Sequence, residues 1–474
     1  MVGIDFGTSQ CLVAVVEGGE ARFLNGPDGV PLTPSAVALD GRGGYLVGRA
    51  ALARGRLHPE ESLQGIKRRL AGPTGEATGL DAFTAAVQLL LALRTSAEGQ
   101  AAATEECVLA VPAHFRDDQR REVRRAAEAA GWKVRRLISE PVAAALPLAL
   151  VRSERKNVLV YDFGGGTFDV SVLEVEGGVW QVLATGGDDR LGGVDIDQIL
   201  AAFAADAFKA QHGTDPRLDP ASAFALTEAA ERVKIALSDL EAVPFRLPFL
   251  SADAAGPHHL DLVLPRATLE ALAAPLVDRT LATVQRTLEE AYLVPDQVDL
   301  VVLAGGSSEM PLVAREVRRL FPTSQVVVER PLYRIAEGAA LLASVLQGHL
   351  EERVLVDVAP FSLGIEIDEG LFTSVIPKNT PIPAREDRLF TTITDHQDEV
   401  EVHILQGESR LAAENASLGR FALEGIRAAP AGHARIQVSF ALDADGLLEV
   451  TARDLDTGRA QNVVVKPGAQ RNRP

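Results

Sequence analysis

Two carboxylates occupy matched places in this sequence. Asp5 lies in GIDFGTSQ (Gly3 to Gln10) and Asp162 lies in YDFGGGTFDV (Tyr161 to Val170). Each closes an apolar run, and each is followed by Phe-Gly and then a threonine, Thr8 or Thr167. Glycines Gly7, Gly164, Gly165 and Gly166 remove side chains, so a ligand can approach the backbone N–H groups, which surround a phosphate oxygen well. The threonine hydroxyls can donate to the same phosphate. Asp5 and Asp162 would repel it unless Mg²⁺ and its waters lie between. A third glycine turn, LAGGSS (Leu303 to Ser308), follows an apolar strand and precedes a helix, where Gly305 and Gly306 can pack against a nucleoside or its α-phosphate. Each turn alone is commonly just a turn. Three of them, each after an apolar strand, point to a nucleoside polyphosphate.

Strands and helices must position these turns. NVLVYD (Asn157 to Asp162) and VDLVVLAGG (Val298 to Gly306) are short β-branched runs ending at the turns. DDQRREVRRAAEAAG predicts a helix with Val123, Ala126, Ala127 and Ala130 on one face and Gly131 as its stop. LTEAAERVKIALSDL predicts another, with Leu226, Ala230, Val233 and Leu237 buried. This alternation implies an α/β fold over the first 350 residues. From Phe361 to about Val465 the helical period disappears. EVEVHILQ places Val400, Val402 and Ile404 on one face, and RIQVSFALDADGLLEVTARD reads as two strands around an Asp-Gly turn, so an all-β domain of about a hundred residues follows. KPGAQRNRP is expected to be a disordered tail.

Bulk properties narrow the function. At 474 residues the chain holds two to four domains. Its net charge of -18 argues against nucleic acid or an anionic membrane as the main partner. Cys11 and Cys107 form no metal or disulfide pattern, which suggests a reducing compartment. MVGIDFGTSQ lacks a basic leader region, and the longest apolar run, near AVQLLLALR, is too short for a bilayer. The expected address is the cytoplasm.

The three turns, in this order and spacing, resemble the nucleotide-binding domain of the 70-kilodalton heat-shock (DnaK-like) chaperones, within the actin and sugar-kinase fold. VPAHFRDDQR, ISEPVAAAL, LGGVDID, ERVKIALS, APFSLGIEI, PKNTPIP, LQGESRLAAEN, SLGRFALEGI and DADGLLEVTARD resemble family segments in family order, so the likeness covers about residues 2–467. It implies an α/β actin-like ATPase domain (a duplicated ribonuclease H-like unit) over 1–352, with a shortened peripheral subdomain near 68–106. A linker over 353–357, a β-sandwich peptide-binding domain over 358–467 and the tail 468–474 follow.

Carried over by residue, the resemblance implies that Asp5 and Asp162 anchor Mg²⁺ through water. Thr8 and Thr167 contact phosphate, beside Gly7, Ser9, Gly164, Gly165, Gly166, Gly192 and Gly193. Lys67 in GIKRRL reaches the γ-phosphate and Glu140 orients the attacking water, a sensible set for phosphoryl transfer. Read without the family, Lys67 is a solvated basic face and Glu140 a helix N-terminal acid. Glu231, Lys234 and Ser238, at i, i+3 and i+7, lie beside adenosine, with Gly305, Gly306 and Ser307 opposite; otherwise they are an ordinary polar face. Gly364, Ile365, Phe390, Gln397, Val400, Val402 and Ile436 form the peptide site, or are inward-facing core and its neighbours. Pro112, Arg120, Arg124, Arg136 and Asp357 relay nucleotide state between the domains; the arginines could equally be a solvated helix face.

Glu309, Leu332, Asp189, Arg190 and Val194 depart from the family around the nucleoside, and Asp368 and Ile393 depart at the arch over the peptide. No lid sequence follows the sandwich, so peptide release is expected to be fast. The implied cofactors are ATP or ADP with Mg²⁺. The implied partners are unfolded polypeptide segments, a J-domain co-chaperone and a nucleotide exchange factor. The rival reading is a nucleotide-binding adaptor with little turnover. A sugar kinase or a filament-forming actin relative needs neither the linker nor the β domain.

Overall fold

The strand Val2–Phe6 is buried along its whole length, which is why it reads as an unbroken apolar run. It pairs antiparallel with Gln10–Glu17, closing a hairpin at Phe6 and Cys11, and parallel with Glu106–Val111 on its other side. Lys133–Ser139 extends the parallel side of this six-stranded sheet. The computed structural model describes residues 1–70, 80–101, 105–148, 154–253, 256–350, 354–367 and 370–464. Asp368, the tail 468–474, position 353 and parts of the shortened segment (71–79 and 102–104) lie outside the described residues.

The same plan recurs around Asp162. Lys156–Phe163 pairs antiparallel with Phe168–Glu176 and parallel with Leu300–Ala304, which is followed by parallel Gln325–Val327. These strands belong to a sheet of seven. Each sheet therefore carries one Asp-Phe-Gly hairpin at the end of an interior strand. The architecture is mixed α/β with several sheets.

The two sheets meet through helices. Arg334–Leu346 packs so closely on the first strand that a Cβ on Gly3 would lie 2.1 Å from the Ala340 nitrogen. Gly338 of the same helix abuts the Ala143 carbonyl of Glu140–Ala145, where a Cβ would stand 1.7 Å away. Val108, Val142, Val160, Ala304 and Ala339 fill the space between the sheets. Helix Asp117–Ala129 buries Val123, Ala126 and Ala127, and Pro220–Asp239 buries Leu226, Ala230, Val233 and Leu237, the stripes their periodicity predicts. No described helix is long and apolar enough to cross a membrane.

From residue 361 onward two four-stranded antiparallel sheets face each other over a core that includes Ile404, Phe440 and Val450. Leu363–Ile367, Leu371–Ile376, Glu399–Gln406 and Ala416–Glu424 form one sheet. Ala384–Phe390, Ile436–Leu442, Leu448–Asp454 and Ala460–Val464 form the other. The stretch expected as a linker contains a strand, Val354–Val358. It runs parallel to Val179–Asp188, with Trp180 opposite Leu355, and pairs on its other side with Pro381–Ile382, the outermost strand of the seven-stranded sheet.

Candidate functional site

The glycine turns touch one another, because they have no side chains to hold them apart. A Cβ on Gly165 would lie 2.1 Å from Ser9 Oγ, and one on Gly166 would lie 2.4 Å from Thr8 Oγ1. Gly192 stands against the Gly165 carbonyl, 2.6 Å from where its own Cβ would be. Gly305 has φ +77°, a left-handed conformation that suits glycine, and abuts the Phe163 carbonyl. Hydrogen bonds fix the arrangement: Gly193 N donates to Gly164 O (3.0 Å), Val194 N to Gly165 O (2.8 Å) and Ser307 Oγ to Gly164 O (2.8 Å).

One cleft of about 380 Å³ collects most of the residues picked out by sequence. Asp5, Gly7, Thr8, Ser9, Lys67, Glu140, Asp162, Gly164, Gly165 and Thr167 line it. So do Glu231, Lys234, Gly305, Gly306 and Ser307. Gly166, Gly192 and Gly193 are outside the lining and pack against the turns. Ser238 also lies outside the lining; its backbone carbonyl accepts from Arg266 Nη2 at 3.4 Å.

Lys67 is only 2% exposed, so it is not a solvated basic face. Its Nζ donates to Glu140 Oε1, which is buried at the first turn of Glu140–Ala145. Burial works against the Lys67 ammonium, yet Glu140 and Asp5 more than offset it and its pKa is raised. Burial, then the Glu140 charge, pushes the Asp5 carboxyl up to about 7, with Lys67 opposing. Burial and the neighbouring acids hold Asp162 well above the usual carboxylate range. Asp162 Oδ1 is buried and has no hydrogen-bond partner.

Asp169 is a further buried acid that sequence reasoning missed. Burial, then Glu140, pushes it up to about 7, and its Oδ1 accepts from His114 N at 3.0 Å. The hairpin register could have found it, since Asp169 pairs directly with Asp162. Four carboxylates thus surround one lysine. This excess of negative charge, with an orphaned Asp162 oxygen, suits a hard divalent cation beside the glycine turns.

At the far end, Lys234 Nζ donates to Gly193 O (3.1 Å) and pairs with Asp197 (2.7 Å). Glu309 and Leu332 line this end of the cleft with Ile235. Burial, then repulsion from Asp239, raises the Glu309 carboxyl. Leu332 covers Gly306, where a Cβ would meet its Cδ2 at 2.8 Å. Asp189, Arg190 and Val194 are not among the lining residues.

The family model for the Hsp70 protein matches residues 1–78 and 75–473. The chain belongs to the Hsp70 family. Members of the Hsp70 family are in general ATPases that bind ATP or ADP with magnesium. In this Hsp70 chain, Ile365, Val402 and Ile436 sit in the sandwich core, with Phe390 and Val400 half-buried against it. Gly364 is buried too: a Cβ there would lie 2.0 Å from the Thr373 carbonyl. Gln397 Nε2 donates to Glu399 O at 2.6 Å, and Ile393 is 65% exposed.

Pro112 is buried and its carbonyl accepts from Phe115 N. Arg120 is buried and donates to Ala113 O (3.0 Å) and to Asp445 O of the sandwich (3.3 Å). Burial lowers its pKa while Asp357 of the linker strand pulls it up, so the Arg120 charge and the Asp357 charge interact. Arg124 and Arg136 point elsewhere. Both reach Asp445, at 2.8 and 3.5 Å. The Asp-Gly turn containing Asp445 was legible as a turn, but its role as the acceptor for these arginines was not.

Proposed function

We propose that this protein is an ATP-driven chaperone that binds extended apolar peptide segments in its β sandwich, with affinity set by ATP binding and hydrolysis between the two α/β sheets. On this reading the sheets are the two halves of an actin-like ATPase domain over 1–352, 353–357 is the linker and 358–467 is the peptide-binding domain. The observation that carries the proposal is the single cleft in which both Asp-Phe-Gly turns converge on the buried Lys67–Glu140 pair.

Asp5 and Asp162 are the residues to hold Mg²⁺ through water, and the glycine turns with Thr8, Ser9 and Thr167 are those to hold the phosphates. Bound Mg²⁺ supplies charge neutralisation and orientation for the polyphosphate. Lys67, fixed by Glu140, offers its remaining N–H bonds to the transferred group. Glu140 accepts a hydrogen bond from the attacking water and aligns it. Thr167 lies beside Asp169 and, with His114 N, opposes the rise of that carboxyl's pKa. Glu231, Lys234 and Ser307 flank the nucleoside.

Peptide would add along the sandwich by backbone hydrogen bonds near Gly364 and Gln397, with an apolar pocket built around Ile365, Phe390, Val400, Val402 and Ile436. A J-domain partner would stimulate turnover. Docking of the sandwich through Asp445 and the strand Val354–Val358 supports a two-state coupling in which ATP and peptide favour opposite arrangements. Two buried free cysteines accord with the cytoplasm.

Single-turnover ATP hydrolysis with and without excess apolar peptide tests this, on the native chain and on Thr167→Ala. Peptide-stimulated turnover that disappears in the variant is the expected result. ATP binding without turnover or peptide response would discard the chaperone cycle in favour of an adaptor.

A further inference from the structure

Lys67 belongs to a single turn of helix, Ile66–Arg69, and its neighbour Arg68 reaches in the opposite direction. Ile66 is anchored in the core of the first sheet. Arg68 Nε donates to Gly166 O, the last carbonyl of the triple-glycine turn. Its Nη2 and Nη1 hold Asp195 as a fork, at 2.6 and 3.3 Å. Asp195 Oδ2 in turn accepts from Gly192 N at 2.7 Å. Gly193 N and Val194 N donate to the carbonyls of Gly164 and Gly165. All three glycine carbonyls of the turn are therefore occupied: two from the start of helix Gly193–His212 and the third from Arg68. The Arg68 side chain is 19% exposed, so its ion pair is partly shielded from water.

We propose that Arg68 is a positioning residue that locks the triple-glycine turn against the first lobe, so that Lys67 and the phosphate-holding backbone move together. This rests on the nucleotide reading of the cleft. A planar fork is needed because one side chain must serve a carbonyl and a carboxylate at once, which an ammonium cannot do with the same geometry. Loss of the fork frees the turn from the first lobe while Lys67 and Glu140 remain in place. Nucleotide release should then quicken more than the chemical step slows.

The test uses the full chain as wild type, Arg68→Lys, Arg68→Ala, Asp195→Asn and the double variant Arg68→Ala/Asp195→Asn. Release of a fluorescent ADP analogue is followed by stopped flow, and single-turnover hydrolysis is measured at saturating ATP. Release should accelerate about tenfold in Arg68→Ala, the scale of one charge-assisted hydrogen bond. Arg68→Lys should recover part of that, and Asp195→Asn should add little on top of Arg68→Ala. Unchanged release in both Arg68 variants, or effects of Arg68→Ala and Asp195→Asn that simply multiply, would overturn the proposal. Amide exchange of residues 164–167 in nucleotide-free protein separates the two readings. Faster exchange in Arg68→Ala upholds the lock even if nucleotide binding fails, and unchanged exchange removes it.

Discussion

Arg124 and Asp445, separated by 321 residues, form an ion pair of 2.8 Å between the α/β region and the β sandwich. The same carboxylate accepts from Leu137 N at 3.0 Å, and its side chain is only 11% exposed. One turn of the sandwich is thus read by three arginines, Arg120, Arg124 and Arg136, and a backbone amide.

Asp445→Asn keeps the shape of this contact and removes its charge. Docking should weaken by about 2 kcal/mol, the lower range for a shielded charge pair that loses one partner. Faster amide exchange in the strand Val354–Val358, which pairs with Val179–Asp188 in the docked arrangement, is the expected signal. Unchanged exchange there would show that Asp445 does not govern docking.

His114 makes docking sensitive to acid. Its ring lies 4.2 Å from Phe361 of the sandwich, and its Nδ1 is buried without a partner. Burial, then the Lys378 charge, lowers its pKa to about 4, with Arg120 and Arg286 acting the same way and Asp188 opposing. Undocking uncovers the ring from Phe361 and removes Lys378, so His114 then takes up a proton more readily than in the docked form. Docking stability is therefore lost progressively as pH falls from the ordinary histidine range towards about 4. The same exchange measurement at pH 7.5 and 5.5 checks this, and His114→Phe should flatten the difference.

Lys67→Met should abolish single turnover and also destabilise the fold. It leaves Glu140 buried beside three aspartates with no cation, a loss of about 3 to 5 kcal/mol. Since the orphaned carboxylate can be neutralised by a proton, the deficit in denaturant midpoint should be larger at pH 8 than at pH 5. Equal deficits at both would contradict an uncompensated charge.

Gly165→Ala tests the contact between the turns. The new methyl would fall 2.1 Å from Ser9 Oγ, so the first turn must shift. Nucleotide affinity should drop at least about tenfold, with the melting temperature changed by only a few degrees. Gly177→Ala, where a Cβ meets nothing within 4 Å but φ is +62°, is the control: it strains the backbone without a clash between the turns and should leave affinity unchanged.

Much of the fold was legible because burial has a period. The stripe of Leu226, Ala230, Val233 and Leu237 and the strand pattern of Ile436–Leu442 record which face each element buries. The glycine turns were legible because a run of residues without side chains, after a buried strand, has few other uses. Lys67 was not legible as a buried group from local pattern, since a lysine beside two arginines reads as surface; only the family likeness singled it out. Asp169, Arg68 and Asp445 were visible only as a flanking acid, a basic run and a turn; their roles were not legible.

The sequence by itself determined the two Asp-Phe-Gly hairpins, the α/β region followed by a β sandwich, and membership of a family. These depend on local propensity, on side-chain period and on motif order along the chain. Only the tertiary structure decided that Lys67 is buried on Glu140, that Arg68 meets Gly166 O, and that Arg124 meets Asp445 rather than the linker. Such contacts join residues that are 73, 98 and 321 positions apart. Their partners are fixed by how the sheets and the sandwich pack, and no local pattern of residues encodes that distance.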